Sequence, residues 1–354
     1  MNPAGDPGGL GEGCIVAQAE VWPDLGKVNA YCRTRIAGFE DFVSIKPIGD
    51  GFSNPTFLAI TASGMRRVLR AMPLHPASAG AHRIDREYRV ISALQHSRVP
   101  VPLPIHHCAE PAPVGSPFYI MSFVPGTVYA NGKLPEAPGA RRLVFLDLAA
   151  CLGRLHGVDY RAMGLQDYGK KDAGAHFTRL VATMRQIYQD AQLGHEPAME
   201  RLFDVLSGIS PAAEKTTLVH GDYRLGNVVI DPERSEIAAI LDWELSTLGD
   251  PLMDVAYCTL MYHWASPTFG TVIGAGEGIP REAEFLETYC RHAGLPTLPD
   301  LVPYQALCLL RLACITQAAL YREAHGTALM RPLPQGHQPG EVARLALDLL
   351  GQST

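Results

Sequence analysis

The chain has 354 residues, about twice the ~150 usual for a single domain, which points to one large or two modest globular units. Its 30 Lys and Arg against 36 Asp and Glu leave a net charge of −6 with no long basic run, which argues against nucleic acid and membrane surfaces as partners. Hydrophobic residues make up 47% and charged residues 19%, enough apolar material for a sizeable core and too much for a disordered chain.

Residues 1–19 are Gly-rich and aperiodic and read as a tail. Asp24 is placed to cap a short helix running to about Arg35. Phe42–Ile48, Thr56–Thr61 and Arg67–Met72 read as strands, broken at Gly49-Asp50-Gly51 and at Ser63-Gly64. His82–His96 reads as a helix, because Ile84, Tyr88, Ile91 and Leu94 recur at helical spacing. Pro100 to Pro117 is a Pro-rich stretch in which His106-His107 reads as a loop pair. A strand at Phe118–Phe123 follows, then a turn at Pro125-Gly126.

Beyond that turn the pattern is mainly helical. Phe145, Leu148, Ala149, Leu152, Leu155 and His156 share one helical face, and helical periods recur at 176–191, 198–207, 251–264, 281–293, 301–324 and 340–350. The apolar run Leu301–Tyr321 is interrupted by Pro303, Gln305, Arg311 and Gln317, so it reads as a buried helix and not as a membrane span. Only Leu218–Trp243 is rich in β-formers. The division expected is a tail and short helix at 1–37, a sheet lobe with one helix at 38–125, and a helical lobe at 126–354.

Eight cysteines occur without a C-x-x-C pair, and the first thirty residues carry Asp6, Glu12, Glu20 and Asp24 with no apolar run of signal length. Free thiols in a reducing, cytoplasmic compartment are expected. There is no Walker A loop, no G-x-S-x-G elbow and no H-E-x-x-H.

The chemistry concentrates in His220-Gly-Asp222-Tyr-Arg-Leu-Gly-Asn227 and in Asp242, which ends an apolar run. A hairpin pairing 228–231 with 238–241 about the turn at Asp231-Pro232-Glu233-Arg234 would set Asn227 opposite Asp242. An amide oxygen and a carboxylate there make a hard oxygen site suited to Mg²⁺. Asp222, on the loop entering the hairpin, is placed to accept a hydroxyl proton. Alone, His220-Gly-Asp222 would be no more than a tight turn; Asn227 and Asp242 at their spacings make it more. In the first half, Glu87 lies on the apolar face of its helix and needs a cation, for which Arg70 is the candidate. From those two residues alone, a purely structural ion pair is the better reading. Gly49, Gly51, Ser53 and Asn54 form a turn whose backbone and side chains could approach a phosphate, or an ordinary hairpin turn.

The whole order resembles the protein-kinase-like superfamily. It is most similar to the aminoglycoside phosphotransferase (choline-kinase-like) family, and within it to the kinase-like domain fused to acyl-CoA dehydrogenases. The resemblance rests on residues 51–57, 68–70, 85–90, 117–121, 220–227 and 241–254, and covers roughly residues 38 to 330. It implies an α+β, two-lobed kinase-like fold: a small N-terminal antiparallel sheet lobe and a larger, mainly helical C-terminal lobe. It implies Asp222 as the catalytic base, Asn227 and Asp242 as Mg²⁺ ligands, and Arg70, tied to Glu87, in place of the phosphate-gripping lysine. It further implies a phosphate loop at Gly49 to Asn54 and an adenine hinge that includes Met121 and Phe123. Arg224 lies close enough in sequence to assist the transferred phosphate; a surface arginine reads equally well. Asp250 and Asp254 read as structural hydrogen-bonding groups of the catalytic region, and Trp243 as packing.

The activity implied is transfer of the γ-phosphate of ATP, with Mg²⁺, to a hydroxyl of a small molecule. A hydroxyacyl-CoA-like metabolite is the acceptor expected, with a 3′-type aminoglycoside as the alternative. A nucleotide-binding pseudokinase or regulatory module is the rival from another class. Nothing in the sequence sets an oligomeric state.

Overall fold

The computed structural model describes residues 23–48, 54–73, 83–111, 113–129, 135, 137–169, 174–209, 211, 215–264, 277–326 and 338–352. They divide into two compact units. The first holds the described residues up to Ile84 together with His106–Ile120; the second holds Asp85–Ile105 and the described residues from Met121 onward.

In the first unit, helix α1 (Leu25–Arg35) starts where expected, the Asp24 side chain accepting from the Lys27 backbone N–H at 2.8 Å. Strands β1 (Phe42–Pro47), β2 (Thr56–Thr61) and β3 (Arg66–Ala71) pair antiparallel in turn, Thr56 facing Arg70. Two further strands, β4 (Pro104–Cys108) and β5 (Phe118–Ser122), complete a five-stranded sheet in the order β1-β2-β3-β5-β4. Strand β4 is a correction, since the stretch from Pro100 to Pro117 reads as proline-rich loop. Its proline stands at the first position of an edge strand, where a missing N–H costs no ladder bond. His106 is therefore a strand residue and not part of a loop pair. Its Nε2 lies 3.1 Å from the Tyr31 hydroxyl, and burial draws its pKa down.

In the second unit, α2 (Ile84–Leu94, assigned to this unit from Asp85) is fastened by two arginines. Arg86 donates to the carbonyls of Tyr168 at 2.6 Å and Ser246 at 3.2 Å, and lies over the Tyr168 ring. Arg89 pairs with Asp167 and donates to the Gly164 carbonyl at 2.7 Å. Helices α3 (Pro138–His156), α4 (Gly174–Asp190) and α5 (Pro197–Ser207) lead to the short strand β6 (Thr217–Val219). Then come the hairpin β7 (Val228–Asp231) and β8 (Glu236–Ile240), strand β9 (Thr247–Gly249) paired with β6, and helices α6 (Leu252–Thr259), α7 (Glu282–Ala293), α8 (Val302–Ala324) and α9 (Pro339–Leu349).

The core follows the periodicity. Phe145, Leu148, Leu152 and Leu155 of α3 are fully buried, and α3 packs against α7. The helices approach closely at Gly153, where a β-carbon would sit 2.7 Å from the Tyr289 carbonyl oxygen. Helix α8 buries Leu307, Leu309, Leu310 and Ala313 against its neighbours, and among the described residues no helix is long and apolar enough to cross a membrane.

The hairpin forms, but not in the expected register. Val228 pairs with Ile240 and Val229 with Ala239; after a bulge, Ile230 pairs with Ile237 and Asp231 with Glu236. Leu241, and not Asp242, is the residue whose N–H meets the Asn227 carbonyl, at 2.8 Å. The pairing of Asn227 with Asp242 across the ladder is thus overturned. The hairpin closes with Asp231 opposite Glu236, two residues short of the expected Ala238; the extra residue in β8 recovers one of the two, and Asp242 leaves the strand in the left-handed conformation, with φ 64° and ψ 59°.

Candidate active site

The site is built around the loop after β6. His220 is fully buried. Its Nε2 lies 2.8 Å from the Leu241 carbonyl and its Nδ1 lies 3.2 Å from the Asp222 backbone N–H. One ring nitrogen thus meets an acceptor and the other a donor, which selects the neutral tautomer with its hydrogen on Nε2. The ring packs against Trp243, 4.8 Å between centroids, so Trp243 does serve as packing. The imidazole links the loop to the end of β8 and sets the backbone direction at Asp222.

Gly221 has φ 83°, and a β-carbon on it would lie 2.6 Å from the Leu245 carbonyl oxygen; no side chain fits. Asp254, on the first turn of α6, holds this turn from behind. It accepts the His220 N–H at 2.6 Å on one oxygen and the Gly221 N–H at 2.7 Å on the other. The Asp254 carboxylate also meets His156 Nε2 at 3.2 Å, while His156 Nδ1 lies 2.9 Å from the Tyr289 hydroxyl. Burial, its largest influence, would raise the Asp254 pKa. The hydrogen bond and charge of His156, together with the His220 backbone N–H, more than offset this and hold it below the usual carboxylate range. From the other side, Arg311 of α8 donates to the Gly221 carbonyl at 2.7 Å and lies over the Tyr257 ring.

This framework presents Asp222. Asn227 donates from its amide to the Asp222 carbonyl at 2.8 Å and to Asp222 Oδ2 at 2.7 Å. Its amide nitrogen is thereby committed, and the amide oxygen is the atom it offers to a cation. Arg224 Nε lies 3.5 Å from Asp222 Oδ2, within ion-pair reach. Tyr257 also bears on Asp222. Burial first, then the Asp222 charge and a hydrogen bond with it, push the phenol well above its ordinary pKa, although Arg311 pulls it down. Asp222, Arg224 and Asn227 are therefore brought together as expected.

Asp242 is half-buried on the short turn after β8. A left-handed non-glycine residue is uncommon, and Asp is among the few types that tolerate it. Among the described residues, no three His, Cys, Asp or Glu side chains gather as a metal cluster. The donor chemistry nonetheless suits a hard cation. One amide oxygen and one carboxylate leave positions for water and phosphate oxygens, as Mg²⁺ requires.

The other expected residues lie as follows. Arg70 is on β3, in the first unit; Glu87 is on α2, in the second, and is 1% exposed, as its place on the apolar face requires. Asn54 is buried just before β2, its carbonyl accepting from the Thr56 hydroxyl at 3.0 Å. Met121 is buried on β5, and Phe123 directly follows that strand, half-buried. Gly49, Gly51 and Ser53 lie outside the described residues. Sequence reasoning missed Arg311, Tyr257 and His156 as supports of the loop. A signal existed for Arg311, a charge within an otherwise apolar helix.

Comparison with known proteins identifies the family. Residues 44–301 match the family described as "Phosphotransferase enzyme family". Acyl-CoA dehydrogenase family member 10 of Mus musculus is 38% identical over 306 residues, covering 84% of this chain and 28% of that protein. Family member 11 of Gallus gallus is 34% identical over 319 residues, covering 86% of this chain and 40% of that protein. The chain thus spans well under half the length of these relatives. A crystal structure from Ralstonia eutropha JMP134, provisionally named an aminoglycoside phosphotransferase, is 33% identical with a TM-score of 0.82, covering 94% of this chain and 100% of that one. Macrolide 2′-phosphotransferase type I, at 19% identity, TM-score 0.59, and coverage of 88% of this chain and 94% of that one, shares the fold. The chain belongs to the phosphotransferase enzyme family and has the α+β, two-lobed kinase-like fold that its motifs imply.

Proposed function

We propose that this member of a family of small-molecule phosphotransferases moves the γ-phosphate of ATP to an alcohol, with Asp222 as the base and Asn227 and Asp242 as the Mg²⁺ ligands. The observation that carries this reading is the suspension of Asp222. Its backbone is fixed by His220 Nδ1, and its carboxylate is held 2.7 Å from the Asn227 amide nitrogen. A loop so constrained keeps the carboxylate in one orientation toward an incoming hydroxyl, and positioning supplies much of the catalysis in phosphoryl transfer.

Asp222 orients the acceptor hydroxyl and takes its proton. The Arg224 guanidinium, beside that carboxylate, offsets negative charge on the transferred group. A bound Mg²⁺ would neutralise charge on the phosphate oxygens. Arg70 and the residues Gly49, Gly51, Ser53 and Asn54 are assigned to the nucleotide's phosphates, with Glu87 as the carboxylate that orients Arg70, and Met121 and Phe123 are assigned to its base. The pseudokinase alternative has less support, since Asp222, Asn227 and Asp242 are all present.

For the acceptor, the relatives named as acyl-CoA dehydrogenases favour a hydroxyacyl-CoA-like metabolite. The Ralstonia structure's provisional name favours an aminoglycoside. A reducing, cytoplasmic setting suits the seven described cysteines, which are buried thiols. Burial, with the Asp147 charge, pushes the Cys151 thiol to about 12, so it stays protonated.

The test is ATP consumption by the purified chain with Mg²⁺, screened against hydroxyacyl-CoA esters and aminoglycosides. Asp222→Asn should lower turnover by about 10²–10⁴-fold while nucleotide still raises the melting temperature. Unchanged turnover in that variant removes the assignment of the base. Turnover of aminoglycosides alone reverses the preference between acceptors.

A further inference from the structure

Arg311 is the only charged residue between Val302 and Tyr321, on a helix whose neighbouring Leu309, Leu310 and Ala313 are fully buried. Its Nη1 donates to the Gly221 carbonyl at 2.7 Å. That bond needs one neutral donor, and a guanidinium carries five N–H groups and a full charge. The other edge of the guanidinium, Nε with Nη2, has no partner among the described residues. Neither nitrogen is sealed from solvent, the side chain being half-buried. Among the described residues no carboxylate comes within ion-pair reach of it. A partly buried charge without a counter-ion is costly, and one carbonyl does not account for it.

This guanidinium lies beside the proposed base. Gly221, which it holds, directly precedes Asp222. Tyr257 joins the two groups: the guanidinium lies 5.5 Å from its ring centroid, and its phenol hydrogen-bonds with Asp222. The Asp222 carboxylate is itself engaged, by the Asn227 amide at 2.7 Å and by Arg224 Nε at 3.5 Å. A further cation stands nearby. Burial first, then the charges of Arg179 and Arg311, draw the His176 pKa down against the pull of Asp250 and Asp254.

We propose that Arg311 selects the acceptor, its Nε–Nη2 edge receiving a negatively charged head group while the acceptor's hydroxyl lies at Asp222. The inference rests on Asp222 as the base of the transfer. The Nε–Nη2 edge is a fork of two parallel donors, which matches two oxygens of one anion. A carboxylate of a hydroxy acid and a phosphate of a larger acceptor both present such a pair. A neutral alcohol leaves the edge to water. A polycation meets the guanidiniums of Arg224 and Arg311 and is repelled, which sets aminoglycosides against this site.

The test is calorimetric titration of the full chain, with ADP and Mg²⁺ present, using four alcohols of one length: 6-hydroxyhexanoate, 6-hydroxyhexyl phosphate, 1,6-hexanediol and 6-amino-1-hexanol. One of the two anions should bind about ten-fold or more tighter than the diol, with the amine weakest, and the tighter anion names the head group. Arg311→Gln removes the charge and should abolish the preference of anion over diol. Arg311→Lys keeps the charge without the fork and should retain about a third of the preference. A merely structural arginine would weaken anion and diol alike and leave their ratio unchanged. No saturable binding of either anion, an equal affinity for the diol, or an unchanged ratio in Arg311→Gln overturns the proposal. The base is tested apart from this. Asp222→Asn should lose transfer and keep the anion preference. Transfer that persists in Asp222→Asn removes the base without touching the ratio, whereas an anion preference lost in Asp222→Asn but kept in Arg311→Gln overturns the role of Arg311.

Discussion

Two carboxylates flank the start of α6, four residues apart and both almost fully buried, yet they are held in opposite ways. Asp254, facing the loop after β6, receives two backbone N–H groups and a histidine, and its pKa lies below the usual carboxylate range. Asp250, on the far side of Pro251, receives one phenol and one backbone N–H. There burial prevails and its pKa is raised. Burial alone therefore does not decide the state of an acid in this core. The number of donors aimed at it does, and in the acid that supports the loop after β6 they favour the charged form.

The contrast can be broken by substitution. Asp254→Asn should have the largest effect. It replaces an acceptor pair with one acceptor and one donor, leaving a buried N–H of His220 or Gly221 opposed. A loss of about 3 kcal/mol in urea unfolding is expected, with turnover falling alongside. His156→Phe should cost about 2 kcal/mol by the same measurement, because it strips one donor from Asp254 and leaves the Tyr289 hydroxyl alone. Asp250→Asn should cost less than about 1 kcal/mol at pH 7, since the charge removed is one that burial already disfavours. If Asp250→Asn costs as much as Asp254→Asn, donor number is not the deciding quantity.

The pH dependence gives a smaller and sharper test. Asp254 has a folded pKa below its unfolded value of 3.8, so its contribution is complete above 3.8 and is lost as pH falls through the folded value. Asp250 has a folded pKa above 3.8, so the folded state loses stability through it as pH rises from 3.8 through that higher value. Unfolding the wild type and each variant between pH 3 and 7 separates the two. The wild type's advantage over Asp254→Asn should shrink at the acid end, whereas its standing against Asp250→Asn should worsen toward neutrality.

Much of this arrangement is legible in the sequence, and the reasons it is or is not are local. His220, Asp222 and Asn227 lie within eight residues, so the short loop alone brings them together. Glu87 is readable as buried because the apolar residues of α2 share its face. The hairpin register is not readable. Residues 237–241 are all apolar, so no in-out alternation pins the pairing, and a bulge leaves no mark in composition. Strand β4 is hidden by the prolines around it. Arg311 and Tyr257 meet the loop at Gly221 and Asp222 across long stretches of chain, and no spacing rule connects them to it.

The path of the polypeptide has a practical consequence for dissection. The chain enters the second unit at Asp85, returns to the first at His106 and leaves it again at Met121, so no single cut yields either half intact. A fragment begun at the Pro125-Gly126 turn would forfeit the clamps made by Arg86 and Arg89 and the Pro100 carbonyl, which receives the Ile240 N–H at 2.8 Å. The excised piece would carry every residue from His220 to Asn227 and still lack the scaffold that steadies that loop.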